Sequence, residues 1–266
     1  GCSRRELLDD YPVSGVDIKL DWNGVTDKLP EGVRVIFYPK SAEGRKIDTY
    51  LSVRGGKVKV PPGRYSVVAY NYDTETVQIR GEEAYETIEA FTGYCNGLGI
   101  AGTEKMVWGP DPLYVVQIND LHIANSEEEL LLDWKPKLVV KTYSFKIKVE
   151  GLEYVSSIVG SVEGMAGCYC LGRCCGMMND APIYFEAQGC SGEVTGSFTA
   201  FGLPEGAMSR ASLAIKFTLA FVKVDNTVQK IEVDITDVIV NSESGEGGGN
   251  DEPSKDIELP LDDDEV

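Results

Sequence analysis

Between Thr142 and Val149 the side chains alternate without a break: Tyr143, Phe145, Ile147 and Val149 are apolar or aromatic, and Thr142, Ser144, Lys146 and Lys148 are polar. A backbone whose successive side chains point to opposite faces buries one of these sets and wets the other, whereas a helical period would scatter both. The segment is a half-buried strand. The same reading applies to Val16–Leu20, whose face Trp22 extends, to Val33–Tyr38, Lys57–Val60 and Arg64–Tyr72, and to shorter runs at Val77–Arg80, Tyr85–Phe91, Met106–Trp108 and Leu113–Ile118. Further strands are expected within Ile183–Ala187, Glu193–Phe201, Ala211–Val224 and Val228–Val240. Gly, Asn, Asp and Pro stand between them, so the chain reads as all-β, a sandwich or barrel of short strands.

Local pairings follow from the connections. Asn23-Gly24 suggests that Val16–Leu20 pairs with Val33–Tyr38, and Pro61-Pro62-Gly63 suggests a hairpin between Lys57–Val60 and Arg64–Tyr72. One short helix is expected after Asn125-Ser126, where Glu127, Glu128 and Glu129 suit a helix N-terminus; Asp133-Trp134-Lys135-Pro136 ends it. The strand pattern restarts beyond that stop. The expected organisation is a leash at 1–12, a β-sandwich at 13–134, a second at 135–241 and an acidic tail at 242–266. The tail carries ten acids against one lysine from Asn241 onward, yet Ile257, Leu259 and Leu261 alternate around Pro260, so a short strand at 256–261 is expected to dock.

With 43 acidic and 25 basic residues the net charge is -18. Such a chain repels phosphate backbones, so nucleic acid is not an expected partner, and neither is an anionic membrane face reached through a general field. No apolar run reaches the roughly 18 to 20 residues that a membrane-spanning helix needs.

The residues for catalysis are sparse. His122 is the one histidine, and a polar position at a strand end accounts for it; no phosphate loop, H-E-x-x-H or EF-hand loop is present. No enzymatic activity, cofactor or metal site is expected. The cysteines are denser: Cys168, Cys170, Cys174, Cys175 and Cys190 crowd one region. Adjacent thiols such as Cys174 and Cys175 are poorly spaced for one tetrahedral zinc, so disulfides in an oxidising compartment and buried apolar thiols both fit better. Tyr65, Tyr70, Tyr72, Trp108 and Tyr114 offer a second option, stacking platforms for a glycan, against the ordinary use of such residues in strand cores.

The first two residues, Gly1-Cys2, match a bacterial lipoprotein junction, where a small residue precedes the cysteine that is acylated after signal-peptide cleavage; Cys2 is the expected lipid-attachment site. Together with Pro61-Pro62-Gly63-Arg64-Tyr65-Ser66-Val67-Val68-Ala69-Tyr70-Asn71, Thr142-Tyr143-Ser144-Phe145, the Gly151–Gly167 segment and Ile231-Glu232-Val233-Asp234-Ile235-Thr236-Asp237, it resembles the fimbrillin-like lipoproteins of Gram-negative gut and oral anaerobes. The resemblance implies two tandem transthyretin-like Greek-key β-sandwiches and a lipid-anchored place at the outer membrane or in a fimbrium. It implies a role as stalk, anchor or tip, with other fimbrial subunits as partners through strand exchange and adhesion as the outcome. It also implies removal of the first strand, Val16–Leu20, by an Arg- or Lys-directed protease; Arg34 and Lys40 are the candidate processing positions. The alternative is a stand-alone surface lipoprotein that binds a glycan or a host protein.

Overall fold

The computed structural model describes residues 15–95, 105–207, 213–244, 257–259 and 264–265, the last two stretches as backbone alone. In chain order its strands are β1 (Gly15–Leu20), β2 (Gly32–Pro39), β3 (Ile47–Ser52), β4 (Gly55–Lys59), β5 (Gly63–Asn71), β6 (Val77–Arg80), β7 (Glu89–Thr92), β8 (Tyr94–Cys95), β9 (Met106–Trp108), β10 (Tyr114–Ile123) and β11 (Leu130–Trp134). They continue as β12 (Lys137–Leu138), β13 (Lys141–Glu150), β14 (Val155–Glu163), β15 (Ala166–Cys170), β16 (Cys175–Met178), β17 (Ile183–Cys190), β18 (Glu193–Ala200), β19 (Lys216–Lys223), β20 (Val228–Asp234), β21 (Ile257–Leu259) and β22 (Asp264–Glu265). One α-helix, α1 (Thr236–Ser244), and a 3-10 turn at Leu152–Tyr154 complete the described elements. The chain is all-β, as the alternation requires.

Two compact units interleave along the chain. The first holds the described residues up to Asp73 with Glu83–Glu86 and Tyr114–Lys137; the second holds Thr74–Glu82, Thr87–Leu113 and the described residues from Leu138 onward. A single boundary at 134/135 therefore does not describe the division. The reason is pairing: β7 lies beside β15, with Ala90 opposite Tyr169, and β9 runs parallel to β17, with Val107 opposite Ile183.

In the first unit the strand order is β11-β1-β4-β3-β2-β5-β10-β12. Only Ser52 and Gly55 pair between β3 and β4, so the sheet turns over there and the two halves face each other. Val16, Ile18, Leu20 and Val58 from one half share a core with Val33, Val35, Phe37 and Val67 from the other. The first strand thus pairs with β4 and β11, not with β2, and β4 and β5 are not a hairpin: Pro61 and Pro62, which lack N–H donors, carry the chain from one half to the other.

The 125–134 segment also departs from expectation. The Ser126 hydroxyl accepts the Glu128 N–H in a local turn, and β11 follows, because Leu130, Leu132 and Trp134 alternate inward and pair in parallel with Val16, Ile18 and Leu20. Tertiary pairing overrides the acidic cap signal.

The second unit is built on a sheet ordered β20-β19-β14-β17-β18-β13-β21, with a smaller sheet β16-β15-β7-β6. Its core is aromatic: Phe145 meets Phe217 edge to face at 4.9 Å between centroids, and Phe185 stacks on Phe217 at 5.3 Å. A Cβ at Gly160 would lie 2.0 Å from the Phe185 ring, so the absent side chain on β14 is what admits that ring. The strand expected through Val240 stops at Asp234. Ile235 and Ile239 are both fully buried, four residues apart, which one helical face satisfies and a strand would split. The Asp234 carboxylate accepts the Thr236 hydroxyl, which chiefly holds the carboxyl below its usual range, and also the Thr236 N–H at 2.9 Å, which adds to the effect. At the other end Glu243 accepts from Lys141 Nζ and from the Tyr143 hydroxyl.

Gly160→Ala is expected to lower stability by about 1–3 kcal/mol through overpacking against Phe185. Urea unfolding followed by tryptophan fluorescence measures it; an unchanged midpoint would mean that the ring moves aside at no cost.

Candidate assembly site

β1 is the strand whose removal the sequence resemblance implies. Val16, Ile18 and Leu20 point into the core and are at most 5% exposed, while Asp17 and Lys19 point out. It is antiparallel to β4 from Gly15 opposite Lys59 to Lys19 opposite Gly55, and parallel to β11 from Val16 opposite Leu130 to Leu20 opposite Trp134. Both of its edges are therefore filled. Its exit is latched as well: the Leu20 N–H donates to the Arg54 carbonyl at 3.1 Å, the Asp21 N–H to the Trp134 carbonyl at 2.8 Å and the Trp22 indole N–H to the Val53 carbonyl at 2.6 Å. Gly55 permits this approach. Its φ is +108°, and a Cβ there would fall 1.9 Å from the Ile18 carbonyl oxygen.

Other edges differ. Among the described residues β11 is paired only on its β1 side, and it leaves Leu131 74% exposed. β20, paired among the described residues only with β19, alternates outward through Val228, Lys230, Glu232 and Asp234. The outer edge of β13 is taken up in two pieces by the chain's own C-terminal segment, since β21 runs parallel to Tyr143–Phe145 and β22 to Val149–Glu150. The 257–259 backbone thus lies within the stretch expected to dock.

The two candidate processing positions sit in unlike surroundings. Arg34 is in the middle of β2, paired with β3 and β5; its Nε donates to Asp48 at 2.8 Å and its Nη1 to the Tyr70 hydroxyl at 2.7 Å. The guanidinium holds the Asp48 carboxyl below its usual range. A protease needs an extended, unpaired backbone, which Arg34 does not offer. Lys40 lies exposed just past β2, its N–H bonded to the Arg64 carbonyl at 2.9 Å. Cys2 and the leash lie outside the described residues, as does most of the acidic tail.

Of the aromatic candidates, Tyr65, Tyr70 and Tyr114 are buried core residues. Tyr72 is 43% exposed and meets Tyr50 edge to face at 5.2 Å, while Trp108, in the other unit, meets Tyr184 at 5.5 Å. Tyr50 escapes a sequence reading because Ile47–Ser52 alternates weakly. His122 is an exposed strand position opposite Arg64. Among the described residues no three His, Cys, Asp or Glu side chains converge as a metal site.

The cysteine cluster resolves into a hairpin. Cys168 and Cys170 lie on β15, Cys175 opens β16, and Cys170 is the direct register partner of Cys175. Cys174 occupies the turn with φ 51°, and Cys190 is exposed beside a separate turn. The described cysteines carry free thiols. Burial pushes the Cys95, Cys168 and Cys175 thiols up to about 11, so little thiolate exists near neutral pH.

Comparison with known proteins adds a relationship to this geometry. Residues 1–186 match the family model described as domain of unknown function DUF5119. A Bacteroides ovatus protein whose name provisionally assigns it as the fimbrium anchoring subunit Fim4B is 58% identical over 277 residues, spanning 99% of this chain and 83% of that protein. A crystal structure from Bacteroides ovatus, described provisionally as an adhesin, is 56% identical with a TM-score of 0.82, covering 100% of this chain and 96% of that one. The fimbrial anchor protein Mfa2 of Porphyromonas gingivalis shares the fold at 12% identity and a TM-score of 0.52, over 87% of this chain and 86% of its own.

Two measurements check the site. Limited digestion of the folded protein with an Arg/Lys-specific protease is expected to cut in the 40–46 turn and to spare Arg34; a first fragment ending at Arg34 would contradict the pairing of β2. Mild oxidation is expected to join Cys170 to Cys175, because antiparallel partners lie about 4.5–5.5 Å apart at Cα, within the disulfide range. Mass spectrometry of non-reduced peptides reads the link, and dominant pairing through Cys190 would refute it.

Proposed function

We propose, from the premise that the chain belongs to the DUF5119 family and is fimbrillin-like, that it is the anchoring subunit of a fimbrium, held to the outer membrane by a lipid on Cys2. The observation that carries this is the place of β1. A stalk subunit must both give a strand and receive one, so its own first strand has to be dispensable. Here β1 is internal, paired on both edges and latched at its exit. A terminal subunit joins a neighbour on one side only and has no need to give that strand up. The 58% identity to the protein named as an anchoring subunit, along nearly the whole chain, supports the same reading.

The neighbour is joined by strand addition, in which main-chain hydrogen bonds supply affinity and alternate side chains supply specificity. The edge offered is that of β13, where β21 and β22 occupy three and two positions in parallel. Parallel pairing is the weaker kind, and short pieces recover little of the entropy spent on ordering them. A longer strand from the next subunit displaces them. On this reading the two units are tandem transthyretin-like sandwiches, and the chain's work is mechanical, with no reaction assigned to it.

Cys2→Ala is expected to abolish incorporation of a labelled fatty acid and to release fimbriae from cells into the medium, with subunit abundance unchanged. Labelling followed by fractionation reads both. Fimbriae that stay on the cell despite loss of the label would reject the anchoring role.

A further inference from the structure

The first unit carries a cleft whose charge runs against that of the chain. It lies between the turn that joins β2 to β3 and the Pro61-Pro62 crossover from β4 to β5, with a volume of about 750 Å³. Arg45, Lys46, Lys59 and Arg64 line it against the single carboxylate of Glu43, in a protein of net charge -18. The fold does not use all of this charge. Arg64 Nη1 meets Asp120 at 2.9 Å, and Lys40 shares that same carboxylate at 3.7 Å, so one acid serves two cations. Lys46 stands 6.0 Å from the Tyr38 ring centroid and helps hold down the Asp48 carboxyl. Arg45 and Lys59 enter no ion pair among the described residues.

The remaining walls are apolar and stiff. Pro39, Pro61, Pro62, Ile47 and Tyr65 line the cleft, and the Tyr65 hydroxyl donates to the Pro61 carbonyl at 2.7 Å, which ties the crossover to β5. Proline fixes φ, so the crossover side of the cleft is set before anything enters it. The volume falls within the roughly 300–1,000 Å³ of small-molecule sites. Gathering like charges at one mouth costs free energy, and an anion held between them returns it. Guanidinium and ammonium groups together suit the oxyanion of a phosphate, sulfate or carboxylate. A flat apolar wall beside them suits the C–H face of a sugar ring.

We propose that this cleft binds an acidic saccharide, its oxyanion on Arg45 and Lys59 and its ring against the exposed Pro61 and Pro62. Gly15 pairs with Lys59, so the cleft opens at the end of the unit where the chain enters β1. The cell's own phosphorylated glycolipid is one source of such a sugar, and a free acidic glycan is another. The first source rests on the anchoring reading; the chemistry of the site does not.

The experiment is calorimetric titration of the full chain carrying Cys2→Ser, so that no lipid is needed. The probes are glucose 6-phosphate, a glucuronate-terminated disaccharide, a sulfated disaccharide, their neutral counterparts, inorganic phosphate, a Glu-rich octapeptide and detergent-dispersed lipopolysaccharide of the producing organism. The acidic sugars are expected to bind at least tenfold more tightly than the neutral ones and than inorganic phosphate, and more weakly as salt rises. Binding of the lipopolysaccharide as well identifies the cell surface as the source, and binding of the free sugars alone identifies an external glycan. Arg45→Glu with Lys59→Glu is expected to weaken binding at least tenfold at an unchanged unfolding midpoint, and the milder Arg45→Gln several-fold. Equal affinity for neutral sugars, for inorganic phosphate or for the acidic peptide would overturn the proposal, as would unaltered binding by either variant. Anchoring is judged separately, by fatty-acid labelling at Cys2.

Discussion

The main-chain ladders that β1 makes on both of its edges hold the first unit together. Without that strand, β4 and β11 would face each other across an unfilled slot lined by the former neighbours of Val16, Ile18 and Leu20. Burial of three such side chains contributes roughly 1.5–3 kcal/mol each. That is comparable with the whole net stability of an ordinary domain, about 5–15 kcal/mol, before any hydrogen bond is counted. The strand is thus exchangeable only for another strand, never simply removable. Gly55 and the Trp22 indole add a steric and a polar lock at the same end, so detaching β1 requires the β3–β4 turn to open with it.

The second unit depends on pairings between distant parts of the chain. Ala90 lies opposite Tyr169, and Val107 opposite Ile183. Each closes a long loop before it gains anything, which slows folding more than it lowers stability. The thiol-bearing β15–β16 hairpin is held in this way by β7, with Arg80 on β6 directing its guanidinium to Cys168 at 3.7 Å. Any bond between Cys170 and Cys175 would therefore brace a hairpin that is already paired, and its contribution to the unit is small beside that of the aromatic core.

Strand character was legible where one face is wet and the alternation is strong. Val16–Leu20 and Thr142–Val149 alternate because water lies on one side of each, and both are strands. Pairing was not legible: the β4–β5 crossover and a true hairpin both carry Pro and Gly, and only the strand order, with β4 beside β1 and β3 and β5 beside β2 and β10, tells them apart. The helix at 236–244 was hidden because its β-branched residues favour strands in isolation, and the deciding fact, burial of Ile235 and Ile239 on one face, is tertiary. The acidic run at 127–129 misled for the converse reason, since charge at a helix start is worth less than the parallel register that β11 gains beside β1. The cysteines were legible as a cluster, but which pair faces which required the β15–β16 register. The cationic cleft was not legible at all, because its residues come from 39–47 and 59–65, segments that are unremarkable when read apart.

That last failure bears on what net charge can predict. A total of -18 governs long-range encounter, because distant charges sum into one repulsive field for anions. It does not govern the energy of an anion already in place. At physiological salt the field of exposed charges decays over about 8 Å, so a group lodged in the cleft is held chiefly by the few cations that touch it. Repulsion at a distance and attraction at contact then act on different stages: the approach of a mobile acidic polymer is slowed, while an acidic group already close by is held by the cations it touches. On the anchoring reading proposed above, a chain held by its own N-terminus next to a surface that carries such groups would meet that condition continuously, and slow encounter from solution would cease to matter.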